Sequence, residues 1–126
     1  MPEVVLAGGS GGLGSATARM LAAEAMELVV SYRSNAERAA KLAGIARIVQ
    51  ADLTVQADRD RLLDAAPDIY GLVVFTGDPA RVSDPSQMQQ AMERSHAANY
   101  LGPILLAREA AARMKARGTH LSLIHI

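Results

Sequence analysis

The sequence predicts an α/β fold in which a parallel sheet is covered by helices on both faces. Short apolar runs alternate with segments whose apolar residues recur at helical spacing, and this alternation continues through most of the 126 residues. The runs are continuously apolar, which is typical of strands buried on both faces. No repeat and no linker divides the chain, so we expect one domain over residues 1–126.

Four strands and three helices follow in order. The strands are predicted at 3–7, 27–32, 45–51 and 69–75. The first helix follows the glycine-rich stretch 8–14. The second runs through 36–43 and ends at Gly44, and the third is closed by Pro67.

A long helix is predicted to begin at Asp84, an N-cap residue followed by Pro85, which suits the first helical position. The helical pattern continues to Arg117, with an interruption at 102–103, and Gly118 ends it. The last eight residues predict a fifth strand.

Charge and composition narrow the classes of partner. Thirteen basic and thirteen acidic residues are scattered and cancel, so we expect neither nucleic acid nor a membrane as a partner. No apolar stretch approaches the ~20 residues of a membrane helix. The chain has no cysteine and no basic leader, and we therefore expect a cytoplasmic protein.

Five glycines lie between the first strand and the first helix, in the spacings Gly9-x-Gly11-x-x-Gly14 and Gly8-x-x-x-Gly12-x-Gly14. Glycines at this place let the backbone turn sharply and approach a ligand, while the helix N-terminus attracts a phosphate. The pattern predicts the pyrophosphate-binding turn of a Rossmann-type fold, although glycine turns also serve tight strand-to-helix packing. Ser15 stands where a nucleoside-triphosphatase loop needs lysine, which disfavours that class.

The end of the second strand lies beside the adenosine ribose in such folds. The stretch 31–35, Ser-Tyr-Arg-Ser-Asn, offers no carboxylate for a 2′-hydroxyl, and the first acid is Glu37. Arg33 and Ser34 can instead bind a 2′-phosphate, so the pattern favours NADP over NAD. The alternative is that Arg33 is a solvated residue and Ser34 a helix N-cap, and both roles can hold together.

Several motifs in order resemble the short-chain dehydrogenases/reductases. These are the glycine spacing 8–14, the stretch 31–35, Ala-Asp-Leu-Thr at 51–54 and Asn-Tyr-Leu-Gly at 99–102. The resemblance implies the strand order 3-2-1-4-5 and a set of cofactor-binding residues. That set is Gly8, Ser10, Gly12, Leu13 and Gly14 at the pyrophosphate, Arg33 and Ser34 at the 2′-phosphate, Asp52 and Leu53 at the adenine, and Gly77 near the nicotinamide ribose.

The resemblance also assigns Asn99 to catalysis, as the helix residue whose main-chain oxygen holds a water in a proton relay. Pro103 has no amide hydrogen to donate to that oxygen, four residues earlier, so the carbonyl is left free. The alternative is that Pro103 begins a separate helix capped by Gly102. Both Asp52 and Asn99 also have a purely structural interpretation. Asp52 can simply cap the next turn, and Asn99 can be a polar residue on a helix face.

The chain departs from the family in four places. Val-Phe-Thr-Gly at 74–77 replaces Asn-Asn-Ala-Gly, Ala7 replaces a threonine, and Gly11 replaces a basic residue of many NADP members. The family's catalytic serine, tyrosine and lysine have no counterparts, because Tyr100 and Lys115 lie on another element at another spacing. We therefore expect an incomplete domain, truncated after strand five and inactive by itself.

The last six residues, 121–126, are what CTG-TCT-CTT-ATA-CAC-ATC encodes, a transposase end used in preparing sequencing libraries. We expect this segment to be non-native sequence.

Together these features predict part of an NADP(H)-dependent oxidoreductase that transfers a hydride between nicotinamide and a small carbonyl or alcohol substrate. The resemblance implies a homodimer or homotetramer for the parent enzyme. One alternative is a non-catalytic dinucleotide-binding sensor. Another is a flavodoxin-like FMN binder, which would have the strand order 2-1-3-4-5.

Overall fold

The computed structural model describes residues 2–78, 80–118 and 123–125, the last three by their backbone alone. The strands are Glu3–Ala7 (β1), Glu27–Tyr32 (β2), Arg47–Gln50 (β3), Ile69–Val74 (β4) and Leu123–His125 (β5). The α-helices are Gly12–Ala23 (α1), Ala36–Ala40 (α2), Gln56–Asp64 (α3), Met88–His96 (α4) and Gly102–Ala116 (α5). A 3₁₀ turn, Pro85–Gln87, precedes α4, and a π-helical turn, Ala97–Leu101, joins α4 to α5.

All five strands are parallel and lie in the order β3-β2-β1-β4-β5. Val5 of β1 is aligned with Val29 of β2 on one side and with Leu72 of β4 on the other. The predicted Rossmann-type order is therefore confirmed. The flavodoxin-like alternative is wrong, because it would place β3 beside β1.

The core consists of two apolar layers on opposite faces of the sheet. Val5 of β1 packs in the layer that contains Leu62 of α3 and Leu106 of α5. The next residue, Leu6, packs on the other face with Ala18 of α1. Successive strand residues point to opposite faces, so continuously apolar strands need helices on both sides, as the sequence predicts.

Two predicted boundaries around α2 and β3 are wrong for one reason. After Ala40 the chain continues in short-range turns, and the N–H groups of Ile45 and Ala46 both donate to the carbonyl of Leu42. These amides are unavailable to a sheet, so β3 begins at Arg47 rather than at Ile45. Gly44 lies beyond the helix end and does not cap it.

The long helical segment begins as predicted, since Asp84 Oδ1 accepts a hydrogen bond from the N–H of Ser86 at 3.0 Å. The interruption at 102–103 takes an unexpected form. Leu101 keeps helical dihedral angles, and the N–H of Gly102 donates to the carbonyl of Ala97, five residues back. A π-helical turn thus accommodates Pro103, and the alternative of a separate helix capped by Gly102 is wrong.

The C-terminal end of α5 also agrees with the sequence, because Gly118 has a left-handed φ of 73° just beyond it. Residues 119–122 of the predicted fifth strand, and residues 121, 122 and 126 of the expected non-native segment, lie outside the described residues. The described part of that strand pairs with β4. Within the described ranges, no helix is long and apolar enough to cross a membrane.

Candidate functional site

The turn after β1 needs glycine because the backbone is crowded there. Gly8 has a φ of 73°, and a Cβ on it would lie 2.8 Å from Cγ2 of Thr76. A Cβ on Gly14 would lie 2.5 Å from the Cα of Gly9, so the first turn of α1 packs directly on the loop. Gly8 and Gly14 therefore serve tight packing, which is the structural role that the sequence left open.

Gly11 and Gly12 differ from them, because a Cβ on either would meet no described atom within 4 Å. Gly11 is the N-cap of α1 and supplies no side-chain hydrogen bond to the first turn. The first N–H groups of this 12-residue helix, including those of Gly12 and Leu13, thus lack a side-chain cap. Open space beside an uncapped helix N-terminus fits an anionic diphosphate.

A buried serine of β2 holds the turn in place. The N–H of Gly8 donates to Oγ of Ser31 at 3.0 Å, and Ser31 is 1% exposed. On the other side of the turn, Oγ of Ser15 donates to the carbonyl of Ser10 at 3.0 Å. The role of Ser31 was missed in the sequence, although a serine inside an otherwise apolar strand was a signal for it.

A cleft of about 300 Å³ opens at the carboxyl ends of the strands and brings together most of the predicted residues. Those lining it are Gly8, Ser10, Arg33, Ser34, Asp52, Leu53 and Gly77. Gly12, Leu13 and Gly14 lie at the start of α1, outside this lining. Asn99 also lies outside it, whereas its neighbour Ala98 is part of it.

Two arginines line the cleft where β2 ends. Asn35 caps α2, because its Oδ1 accepts a hydrogen bond from the N–H of Arg38 at 2.9 Å. The cap interpretation of Ser34 is therefore wrong, since Asn35 is the residue that immediately precedes the helix. This cap holds Arg38 in the first turn of α2, and its side chain lines the cleft together with Arg33. Arg38 was not identified from the sequence as a cleft residue. Its position three residues after Asn35, a residue type that caps helices, could have indicated that it lies in the first turn of α2.

Asp52 is held on both sides by hydrogen bonds. Its Oδ1 accepts from the N–H and Oγ1 of Thr54, at 3.0 and 2.7 Å, so the turn-cap role is real. Its own N–H donates to Oδ2 of Asp58 at 2.8 Å. This bond is the main reason that the pKa of Asp58 lies below its ordinary value, with Arg61 adding to the effect.

The next residue, Leu53, connects this segment to α3 and α5. Nη1 of Arg59 donates to the Leu53 carbonyl at 3.0 Å, and Nε of the same arginine pairs with Glu109 of α5 at 3.0 Å. A Cβ on Gly102 would lie 3.0 Å from the Leu53 oxygen. The segment therefore rests against the start of α5.

The segment after β4 closes the opposite side of the cleft. Phe75 extends the pairing of β4, because its N–H donates to the carbonyl of Ala7 at 2.8 Å. Thr76 lies over Gly8, and its Oγ1 donates to the carbonyl of Ala98 at 3.3 Å. Phe75 and Thr76 both line the cleft, so their side chains form part of the surface offered to a ligand.

The side chain of Asn99 holds the residue that follows Gly77. Its Oδ1 accepts from the N–H of Asp78 at 2.6 Å, and its Nδ2 donates to the carbonyl of Asp78 at 2.7 Å. Nδ2 also donates to Oγ of Ser95 at 3.0 Å. The asparagine side chain is therefore committed to the loop, and its expected role in a relay, which concerns the main-chain oxygen, stays a prediction.

Asp78 itself is buried and charged. Its Oδ2 accepts from Nε of Arg94 at 2.7 Å and its Oδ1 from the N–H of Ala80 at 2.9 Å. The Ala80 bond, then the Arg94 bond, hold the pKa of Asp78 below its ordinary value, and the charges of Arg94 and Arg33 add to this effect. Neither Asp78 nor Arg94 was singled out in the sequence, because they are 16 residues apart and form no motif.

Comparison with known proteins identifies the family. The family model described as short chain dehydrogenase matches residues 3–124. The 3beta-hydroxysteroid dehydrogenase 1 of Eggerthella lenta is 41% identical over 75 residues, which is 54% of this chain and 29% of that protein.

Solved structures agree with this match. A short chain dehydrogenase/reductase family protein superposes with a TM-score of 0.83 at 33% identity, covering 98% of this chain and 54% of its own. A short-chain dehydrogenase from Sphingobium yanoikuyae, in complex with NADPH, superposes with a TM-score of 0.80 at 25% identity. The match covers 99% of this chain and 52% of that protein. The chain thus spans about half the length of these relatives. With the family model matching nearly its whole length and the sheet order and glycine turn as described, the chain belongs to the short-chain dehydrogenase family of oxidoreductases.

Proposed function

We propose that the chain is the cofactor-binding part of an NADP(H)-dependent oxidoreductase acting on a small carbonyl or alcohol substrate. The observation that carries this proposal is the pair of arginines, Arg33 and Arg38, lining one cleft at the end of β2. An NAD-binding site usually places a carboxylate there for the ribose 2′-hydroxyl. Two guanidinium groups suit a 2′-phosphate instead, because they bind it by charge-assisted hydrogen bonds.

The order of the strands supports a division of the site. The glycine turn follows the central strand β1, with β2 and β3 on one side and β4 on the other. A diphosphate at the turn would therefore have its adenosine toward Arg33 and Asp52 and its nicotinamide half toward Thr76 and Gly77. The cofactor, when bound, supplies the nicotinamide carbon that exchanges a hydride with the substrate carbon.

Each group of residues then has a definite task. The uncapped N–H groups of Gly12 and Leu13 bind the diphosphate, and Gly8 and Gly14 allow the turn to pack closely enough for this. Asp52 accepts a hydrogen bond from the adenine amino group, while Leu53 contacts the ring. Asn99 holds a relay water at its main-chain oxygen, as the family resemblance implies.

The cofactor assignment is tested by titrating the chain with NADPH, NADH and 2′,5′-ADP and measuring dissociation constants. We expect NADPH to bind at least tenfold more tightly than NADH. Arg33→Ala and Arg38→Ala should each weaken NADPH binding about tenfold to a hundredfold, because one charge-assisted bond contributes roughly 1.5–3 kcal/mol. NADH binding should change less than twofold.

Arg19→Ala, on α1 and outside the cleft lining, is the matched control and should leave all three affinities unchanged. Tighter binding of NADH than of NADPH would contradict the NADP assignment and favour NAD. A chain that binds none of the three ligands would contradict the proposed function as a whole.

We propose further that the chain by itself transfers no hydride. Residues 1–126 contain no Tyr-x-x-x-Lys sequence, which carries the acid and its lysine partner in the family that the motifs resemble. This expectation distinguishes cofactor binding, which the chain retains, from turnover, which it lacks.

For the parent enzyme we propose a homodimer or homotetramer. The support is an apolar surface on the helical segment after residue 87. Its exposed members are Met88, Met92, Tyr100, Leu101, Ile104 and Leu105. Three of them, Met88, Met92 and Leu101, line one groove, and apolar side chains grouped in this way are typical of a contact surface.

A further inference from the structure

The loop after β4 is held by an unusually complete set of polar contacts centred on Asp78. Its N–H, its carbonyl and both carboxylate oxygens all have partners at 2.6–2.9 Å. All three partner side chains come from one helical segment: Arg94 and Ser95 on α4 and Asn99 on the π-helical turn. Most of the bonds between the loop and that segment therefore involve Asp78, and the bond from Thr76 Oγ1 to the Ala98 carbonyl adds one more.

The ion pair between Asp78 and Arg94 lies at the centre of this set, and its aspartate is buried. The Asp78 side chain is 10% exposed, whereas that of Arg94 is 51% exposed. A carboxylate so removed from water is unfavourable unless it is paired and hydrogen-bonded. An aspartate with no role at this position would be expected to face solvent, as Asp64 and Asp68 do.

The backbone beside Asp78 is strained, and the carboxylate supports the strained conformation. Ala80 has a φ of 56°, in the left-handed region that a residue with a Cβ rarely adopts. Its N–H donates to Oδ1 of Asp78. Non-glycine residues persist in such conformations only where surrounding contacts enforce them, and the Asp78 carboxylate provides such a contact here. The other non-glycine residue with a left-handed φ among the described residues, Ala25, follows the end of α1, so the conformation by itself does not mark a site.

The position of the loop connects this arrangement to the cleft. Thr76 and Gly77, the two residues before Asp78, line the cleft on its β4 side. A Cβ on Gly77 would lie 3.9 Å from Oδ1 of Asn99, so the network adjoins the lining directly.

We propose that Asp78 and Arg94 are positioning residues that lock Thr76 and Gly77 against the nicotinamide half of the cofactor. The ion pair fixes the residue that directly follows Gly77. The proposal rests on the proposed function for the identity of the ligand. Its physical basis is preorganisation, because a loop already fixed in its bound conformation loses less entropy when the ligand binds.

The test compares two ligands that share the adenosine half. We expect Asp78→Asn, which keeps the side-chain shape, and Arg94→Gln to weaken NADPH binding at least tenfold each. Neither should weaken the binding of 2′,5′-ADP, which lacks the nicotinamide half, by more than twofold. Arg94→Lys, which keeps the charge, should restore part of the loss. The variant that combines Asp78→Asn with Arg94→Gln should bind NADPH about as well as either single variant, because the two residues act as a pair.

Arg113→Gln is the matched control, since Arg113 pairs with the exposed Asp64 far from the loop, and it should change neither affinity. Unchanged NADPH affinity in Asp78→Asn and Arg94→Gln would overturn the proposal. So would an equal loss for both ligands, which would show a general structural effect. In both cases the proposed function still stands, because the unmodified chain binds NADPH.

Amide hydrogen exchange provides a measurement that needs no ligand. In Arg94→Gln the amides of Asp78 and Ala80 should exchange at least tenfold faster. The amide of Phe75, bonded to Ala7 in the sheet, should be unaffected. Unchanged protection of Asp78 and Ala80 would overturn the lock even if the chain bound no dinucleotide.

Discussion

At the scale of single residues, the glycines of the first turn divide into two kinds. Gly8 and Gly14 are required by neighbouring protein atoms, whereas Gly11 and Gly12 face open space. A sequence pattern treats all of them alike, because it records only that no side chain is present. The distances to neighbouring atoms separate the structural glycines from those that leave room for a ligand.

This division leads to opposite expectations for two substitutions. Gly14→Ala should lower the free energy of unfolding by about 1–3 kcal/mol, because its Cβ would meet the backbone of Gly9, which cannot yield. Gly12→Ala should leave stability unchanged or raised, since alanine favours a helix. It should nevertheless weaken NADPH binding at least tenfold, because the methyl group would occupy space that the diphosphate needs. Urea denaturation and NADPH titration measure the two effects separately.

Gly44→Ala is a suitable control, because Gly44 also faces open space but lies outside the cleft lining. It should leave NADPH affinity unchanged. If Gly12→Ala bound NADPH as well as the unmodified chain does, the pyrophosphate role of this residue would be incorrect.

At the scale of secondary-structure elements, the side of the cleft formed by Asp52 and Leu53 depends on how α3 and α5 pack. Arg59 is 5% exposed and donates both to Leu53 and to Glu109, so a single buried guanidinium joins three segments of the chain. The chain separation of Arg59 and Glu109 is 50 residues. The local sequence pattern predicts the helices on which Arg59 and Glu109 lie. It does not predict that the two residues form an ion pair.

We expect Glu109→Gln to destabilise the fold by about 2 kcal/mol, because it leaves a buried guanidinium without its counter-charge while solvent still reaches position 109. Thermal or urea denaturation measures this loss. Asp64→Asn, which breaks the exposed pair with Arg113, should cost less than about 1 kcal/mol. Equal losses in the two variants would contradict a stabilising role for the buried pair.

The π-helical turn is a second example at this scale. Pro103 predicts an irregularity, but whether the chain breaks, kinks or forms a wider turn is decided by what packs against it. Gly102 approaches the Leu53 carbonyl closely, and the helical path continues through Leu101. The form of the irregularity therefore depends on a contact between distant parts of the chain.

At the scale of the whole molecule, the exposed apolar surface of the α4–α5 segment is where we expect subunits to associate. Met92, 59% exposed, and Leu101, 45% exposed, lie in one apolar groove. If this surface joins subunits, a charge there should disfavour association. We expect the unmodified chain to be dimeric or tetrameric in sedimentation equilibrium, and Met92→Glu to weaken association at least tenfold.

Met20→Glu serves as the control, because Met20 is equally exposed, at 61%, but lies on α1. It should associate like the unmodified chain. A monomeric unmodified chain, or equal effects of the two substitutions, would contradict the proposed interface.

The sequence by itself predicted the α/β fold class and the glycine-rich turn between the first strand and the first helix. Apolar periodicity, glycine spacing and the cap at Asp84 are local features, and local features specify where strands, turns and helix ends form. The order 3-2-1-4-5 came through the resemblance, and the structure confirms it.

Only the tertiary structure decided which side chains meet. The ion pairs Asp78–Arg94 and Arg59–Glu109 depend on how the ends of the strands and the faces of the helices come together. So does the position of Arg38 in the same cleft as Arg33. The same holds for the early start of the turns that shorten α2 and β3. The physical reason is that a buried polar group takes its hydrogen-bond partner from whichever segment packs against it in the fold. Such partners are often far apart along the chain, and the local sequence pattern does not show that they meet.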